Sequence, residues 1–323
     1  MAEKHCDADL SAALAARARA GVTKHDAAVT LFRQALEACP QNDSLGLEIS
    51  RALAAQRRFD EAIATAQEYV RRHPDAVPGL LILANALFMA QRWEECSPVL
   101  ERALKLEPEN AAALLLRANN DYLLGDTAKS EQILLRLLDR NPADIEAAYT
   151  LGRIYYMDNR PDFALGQFQR VVKLDPKHYK AWDNLGLCYD ATGNSEMAIR
   201  HFLTAIRLVE TEHPDYDWPY ANLAELLLRQ NRPAEAHQAA LKAAERNPRS
   251  ARNFYLGGQA LIKLDRQREA LPLLERAVTL DAAYPEPLYT LGQLYLRLGD
   301  KEKATTTLQR FREVKERAPK KRR

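Results

Sequence analysis

The chain has 323 residues, and its 46 Lys and Arg against 44 Asp and Glu leave a formal charge of +2. So near-neutral a balance argues against a dedicated nucleic-acid or membrane-surface protein. Hydrophobic residues make up 47% and charged residues 28%, which argues against global disorder, and only 12 glycines in a chain rich in Ala and Leu favour helix nearly throughout.

Residues 1–8 read as a lead-in. They carry acids and no apolar run, so no secretory signal is expected. Cys6, Cys39, Cys96 and Cys188 are isolated and form no CxxC, so neither a disulfide framework nor a cysteine-rich zinc module is expected, and a reducing cytoplasm is the default compartment. The densest apolar run, Leu80–Ala90, is too short to cross a membrane.

From there the chain is periodic. Prolines stand at 40, 74, 108, 142 and 176, each 34 residues apart; the series resumes at Pro214 and Pro248, and Ala282 holds the next place. A 34-residue period is the mark of a two-helix unit stacked into a solenoid. With the proline at position 32, the units run 9–42, 43–76, 77–110, 111–144, 145–178, 179–216, 217–250, 251–284 and 285–318, followed by a basic tail, 319–323. The sixth unit carries four extra residues, and one added turn on its second helix accounts for them.

Position 8 of successive units reads Ala16, Ser50, Ala84, Ala118, Gly152, Gly186, Ala224, Gly258 and Gly292. Position 20 reads Ala28, Ala62, Cys96, Ser130, Ala164, Ala198, Ala236, Ala270 and Ala304. All are small, as two closely approaching helices require. Position 15 holds Gly125, Asn159, Gly193, Asn231, Asp265 and Gly299, residues that tolerate the left-handed conformation ending a helix. Each unit is therefore predicted as helix, tight turn, helix, with the proline as the stop.

These residues resemble the tetratricopeptide repeat, whose pattern is Trp/Leu/Gly/Tyr on the first helix and Ala/Phe/Ala then Pro on the second. The sixth unit carries Trp182, Leu185, Gly186, Tyr189, Ala198, Phe202 and Ala205; the fifth carries Leu151, Gly152, Tyr155, Ala164, Phe168 and Pro176. The resemblance covers residues 9–318 as about nine units. It implies an all-α solenoid, a right-handed superhelix whose first helices line a concave groove, and a protein partner held there as an extended peptide or an amphipathic helix.

A helical projection with positions 4, 7, 8 and 11 packed turns positions 2, 5, 6, 9, 12 and 13 toward that groove. The candidate binding residues are Asn85, Asn119, Tyr122, Tyr149, Arg153, Tyr156, Lys180, Asn184, Trp218, Asn222, Tyr255, Gln259, Tyr289 and Gln293. Amides at fixed intervals can pair with a peptide backbone, and Tyr and Trp add amphipathic contact area. Leu81, Ile82, Phe88, Met89, Leu115 and Leu116 make the third and fourth units more apolar than the later ones, a surface suited to an amphipathic helix.

Chaperone-binding members of the family clamp a C-terminal carboxylate with Lys and Asn on one unit. Asn184 and Asn222 each fit the middle place of that clamp, but neither register supplies the lysine–asparagine pair, so a clamp is not expected. No HExxH, histidine pair with metal-ligand spacing, P-loop or GxGxxG occurs, and no cofactor, metal or small-molecule substrate is expected.

The leading expectation is thus a non-catalytic scaffold or adaptor. The alternative is the substrate-selecting arm of an enzyme whose catalytic part lies on another chain, as in glycosyltransferases whose arms carry asparagine ladders. A weaker option is nucleic-acid contact through Lys320–Arg323.

Overall fold

The computed structural model describes residues 6–19 and 25–317; the tail 319–323 and most of the lead-in lie outside the described residues. Those described form eighteen α-helices and no strand. The chain divides into two compact units, Met1–Ile154 and Tyr155–Arg323.

In the first unit the first helices of the repeats are α1 (Ala8–Arg19), α3 (Ser44–Ala55), α5 (Val77–Met89) and α7 (Ala111–Leu123), and the second helices are α2 (His25–Ala38), α4 (Phe59–Arg72), α6 (Trp93–Leu106) and α8 (Thr127–Arg140). The division falls within α9 (Ile145–Met157). The second unit continues with α10 (Pro161–Leu174), α11 (Tyr179–Ala191), α12 (Ser195–Glu212), α13 (Trp218–Arg229), α14 (Pro233–Arg246), α15 (Ala251–Lys263), α16 (Gln267–Leu280), α17 (Pro285–Leu298) and α18 (Lys301–Arg317). Every predicted helix pair is present. α12 has 18 residues where α10 and α14 have 14, so the insertion is the added turn the spacing predicts.

The turn chemistry follows the sequence closely. Gly125, Gly193, Gly299, Asn159, Asn231 and Asp265 all have positive φ, between 57° and 90°. Arg57 and Gln91, at the same position in the second and third units, adopt φ 62° and 61° without the residue types that favour it. The period imposes the turn there, and propensity yields to it.

Positions 8 and 20 meet as the small-residue pattern predicts. Ser50 Oγ donates to the Ala62 carbonyl at 2.8 Å, and Cys96 Sγ donates to the Ala84 carbonyl at 3.2 Å. A large side chain four residues on lies across the gap: a Cβ added at Gly186 would sit 2.4 Å from the Phe202 ring, and one at Gly258 2.7 Å from Leu274. Cys96 and Cys188 are fully buried in these packed faces, and burial pushes both thiols up to about 12.

Cys6 and Cys39 are joined by a disulfide. This corrects the expectation of four isolated cysteines. Cys6 stands two residues before α1 and Cys39 directly after α2, and the antiparallel hairpin brings those two ends together; the Asp7 N–H donates to the Ala38 carbonyl at 2.9 Å beside the bridge.

Candidate functional site

Within each unit, first helices of successive repeats touch one another: α3 meets α5 and α5 meets α7, while α11 meets α13 and α13 meets α15. Successive second helices make few such contacts or none. The first helices therefore lie on the inner, tighter radius of each unit, and the candidate residues are carried there by helix periodicity.

In the first unit Asn85 and Asn119 line one cavity of about 430 Å³ with Leu81, Ile82, Leu115 and Leu116. Ser50 and Arg51 extend it onto α3. The floor is apolar and the two amides stand one repeat apart above it. Each amide rests on its own helix: Asn119 Nδ2 donates to the Leu115 carbonyl at 2.9 Å, and Asn85 Nδ2 lies 3.6 Å from Met89 Sδ. Tyr122 and Tyr149 are half-buried and Arg153 is exposed, all outside this cavity.

In the second unit Tyr255 and Gln259 line a cavity of about 600 Å³ that also contains Arg229, Arg252 and Glu225. Gln259 Nε2 donates to Tyr255 Oη at 2.6 Å. Arg252 donates to Glu225 at 2.5 Å, and its guanidinium lies 5.7 Å from the Trp218 ring centre. Arg229 pairs with Asp190 and, at 3.5 Å, with Glu225. Tyr156 is half-buried, and burial first, then charges including Asp190 and Glu225, raise its phenol above the ordinary range.

Asn184 donates to the Lys180 carbonyl of its own helix at 2.7 Å, and the Lys180 ammonium lies 5.8 Å from the Tyr179 ring centre. Trp218, at the first position of α13, is 54% exposed, and Tyr289 is 49% exposed beside Phe311. Gln293 is half-buried on α17.

Asn222 departs from its expected role. It is 5% exposed; its Nδ2 donates to Asp183 Oδ1 at 2.9 Å, and its Oδ1 accepts from Arg252 at 3.0 Å. Its amide is spent between helices rather than offered to a ligand. Asp183 is itself 3% exposed, and desolvation, opposed by Asn222, Arg252 and Tyr216, pushes its carboxyl up to about 7.

Residues outside the candidate set also line the cavities. Tyr284, Glu286 and Thr290 edge the 600 Å³ cavity. Glu286, Thr290, Tyr255, Tyr289 and Phe311 line a neighbouring one of about 490 Å³. Glu286 occupies position 2, which the projection already turns inward; Tyr284 lies just before the helix, beyond its reach.

Among the described residues, no cluster of three or more His, Cys, Asp or Glu could hold a metal ion, and no helix is long and apolar enough to cross a membrane. The site offers amides, phenols, one indole and ion pairs, groups that bind by hydrogen bonding and stacking.

Comparison with curated proteins finds no match. Among solved structures, a tetratricopeptide repeat protein from Parabacteroides merdae is 19% identical, covering 83% of this chain and 99% of its own, with a TM-score of 0.58. MamA from Desulfovibrio magneticus is 16% identical over 55% of this chain and 97% of its own, with a TM-score of 0.47. YrrB, described as having an unusual peptide-binding site, is 19% identical over 57% of this chain and 93% of its own, with a TM-score of 0.45. Three family models, each described as tetratricopeptide repeat, match residues 179–249, residues 222–286, and residues 21–81, 87–154 and 261–317; the last of these alone spans more than half of the sequence. The chain belongs to the tetratricopeptide-repeat family.

Proposed function

We propose that this chain is a non-catalytic scaffold that holds a segment of a partner protein against the inner faces of its first helices. The observation that carries this reading is the pairing of Asn85 with Asn119, one repeat apart, over a shared apolar floor. Two amides at that interval can grip a peptide backbone whatever its sequence, while Leu81, Ile82, Leu115 and Leu116 take up apolar side chains. In the second unit the inner face is built of ion pairs and phenols, so its part of the partner is polar.

The alternative, a substrate-selecting arm with an asparagine ladder, loses support because Asn222 is buried against Asp183. The cytoplasmic default is weakened in the same way, since the Cys6–Cys39 bridge fits an oxidising compartment.

An affinity capture from the native host's lysate tests the reading. Wild type is run beside Asn85→Ala with Asn119→Ala and beside Tyr156→Ala with Trp218→Ala, with circular dichroism confirming equal helicity. Partners lost from either variant are the expected result. Identical partner sets for all three proteins would remove the inner face as the binding surface.

A further inference from the structure

We propose that Glu286, with Tyr255, Tyr284 and Tyr289 around it, forms a binding site for one basic side chain, arginine or lysine, of the partner segment; this rests on the inner face being the partner-binding surface. Glu286 borders both cavities at this end of the second unit, those of about 600 and 490 Å³. It lies in the first turn of α17, where the helix dipole favours a negative charge. Its carboxylate is exposed, and among the described residues no hydrogen bond or ion pair engages it. This sets it apart from Glu225, which Arg229 and Arg252 occupy.

The aromatic groups complete the site. Tyr255 and Tyr284 meet edge to face with ring centres 5.6 Å apart, and Tyr289 lies 5.3 Å from Phe311. An aromatic face beside a carboxylate is the arrangement that attracts an ammonium or guanidinium group. Among the described residues no cation lies over Tyr255, Tyr284 or Tyr289. The neighbouring cations are already committed: Arg252 to Glu225 and Asn222, Lys263 to the Leu228 carbonyl at 3.0 Å, and Lys315 to Phe311, 5.8 Å from the ring centre. The Lys315 contact shows the same pocket already holding an ammonium group against a ring. The negative field has a second mark: burial first, then the Glu286 charge, pushes the Tyr284 phenol up to about 12.

The test uses the full chain and small probes, Nα-acetyl-arginine methylamide and its lysine and norleucine counterparts, followed by saturation-transfer NMR. The basic probes are expected to bind at least five-fold more tightly than norleucine. Glu286→Gln should abolish that preference, and Lys315→Ala should strengthen basic-probe binding at least two-fold, a gain that misfolding cannot produce. No preference over norleucine, or full preference in Glu286→Gln, would overturn the proposal. Binding that appears only once residues 319–323 are deleted would assign the site to this chain's own tail and overturn the partner assignment. The outcomes separate from those of the wider reading: basic probes that fail to bind while Asn85 and Asn119 variants lose partners sink only the basic site, whereas basic probes that bind while every variant keeps its partners sink the groove and the assignment of the site to a partner segment.

Discussion

Gly186 shows how little room a residue at position 8 has. A Cβ there would stand 2.4 Å from Phe202, a fully buried ring with nowhere to move. Gly186→Ala is therefore expected to cost about 1–3 kcal/mol, read as a lowered denaturant midpoint; an unchanged midpoint would mean that the helices separate freely. Gln91 presents the reverse case. Its φ of 61° is costly for a side-chain-bearing residue, so Gln91→Gly should gain roughly 0.5–1 kcal/mol after glycine's own entropy is subtracted. Asp183 adds a pH dependence. Its carboxyl titrates near 7 in the folded chain against an ordinary value of 3.8, so between these values the folded state holds the extra proton. Stability from this group is thus full below about pH 4, falls as pH rises through 7, and is level above. Burial lowers His201 and His237, which act oppositely, losing stability as pH falls through the ordinary histidine range. The difference between wild type and Asp183→Asn isolates the aspartate. The variant should lack the decline between about pH 4 and 7, on the order of 2–4 kcal/mol; parallel melting curves for the two proteins across that range would refute it.

At the scale of elements, the insertion in the sixth repeat was legible as a count and its consequence was not. A break of 38 residues among intervals of 34 implies one added turn, and α12 has it. What the spacing does not convey is how the longer helix is closed. Arg246, from α14, donates to the carbonyls of Val209, His213 and Pro214 at 3.1–3.2 Å and of Glu210 at 3.3 Å, while its guanidinium lies 4.7 Å from the Tyr220 ring centre. A single charged fork thus gathers the carbonyls at the end of α12, adding a charged donor to those of Val209 and His213, which also accept the backbone N–H of His213 and of Tyr216. Arg246→Ala should cost about 1–3 kcal/mol and speed amide exchange over residues 209–217. Exchange unchanged in that segment would show that the turn holds itself. The same limit explains Asn222. A helical projection assigns polar residues to the open face, but it sees one helix at a time. Asp183 lies 39 residues earlier, and only the packing of α11 against α13 reveals that the two side chains face each other between helices. Periodicity reports which way a side chain points along its own helix; it is silent about what the next helix brings to meet it.

At the scale of the whole molecule, each repeat is held by what its helices bury against their neighbours. Among the described residues α1 packs mainly against α2, and α2 against α3. α1 buries only Ser11, Ala15 and Ala18, small side chains that contribute little apolar area. The Cys6–Cys39 bridge compensates, tying the start of α1 to the end of α2 across 33 residues. The cysteine count gave no hint of it, yet the repeat did contain one: residues just before a first helix and just after its second helix are neighbours in every such hairpin. Closing a loop of that length removes roughly 3–4 kcal/mol of unfolded-state entropy. Reduction, or Cys39→Ser, should therefore release α1 and α2 locally while leaving α5 to α7 protected. Hydrogen exchange with and without a reductant gives the direct reading, with faster exchange expected over residues 8–19 and 25–38. If those amides are equally protected in both states, the bridge adds nothing and Asp7 N–H to Ala38 O, with Ser11 Oγ to Ala35 O, is enough to hold the end. Differential alkylation of the protein taken from its native host then decides the compartment. A bridged Cys6–Cys39 places the chain where disulfides persist, whereas two free thiols restore the cytoplasm and leave α1 as the loosest helix of its unit.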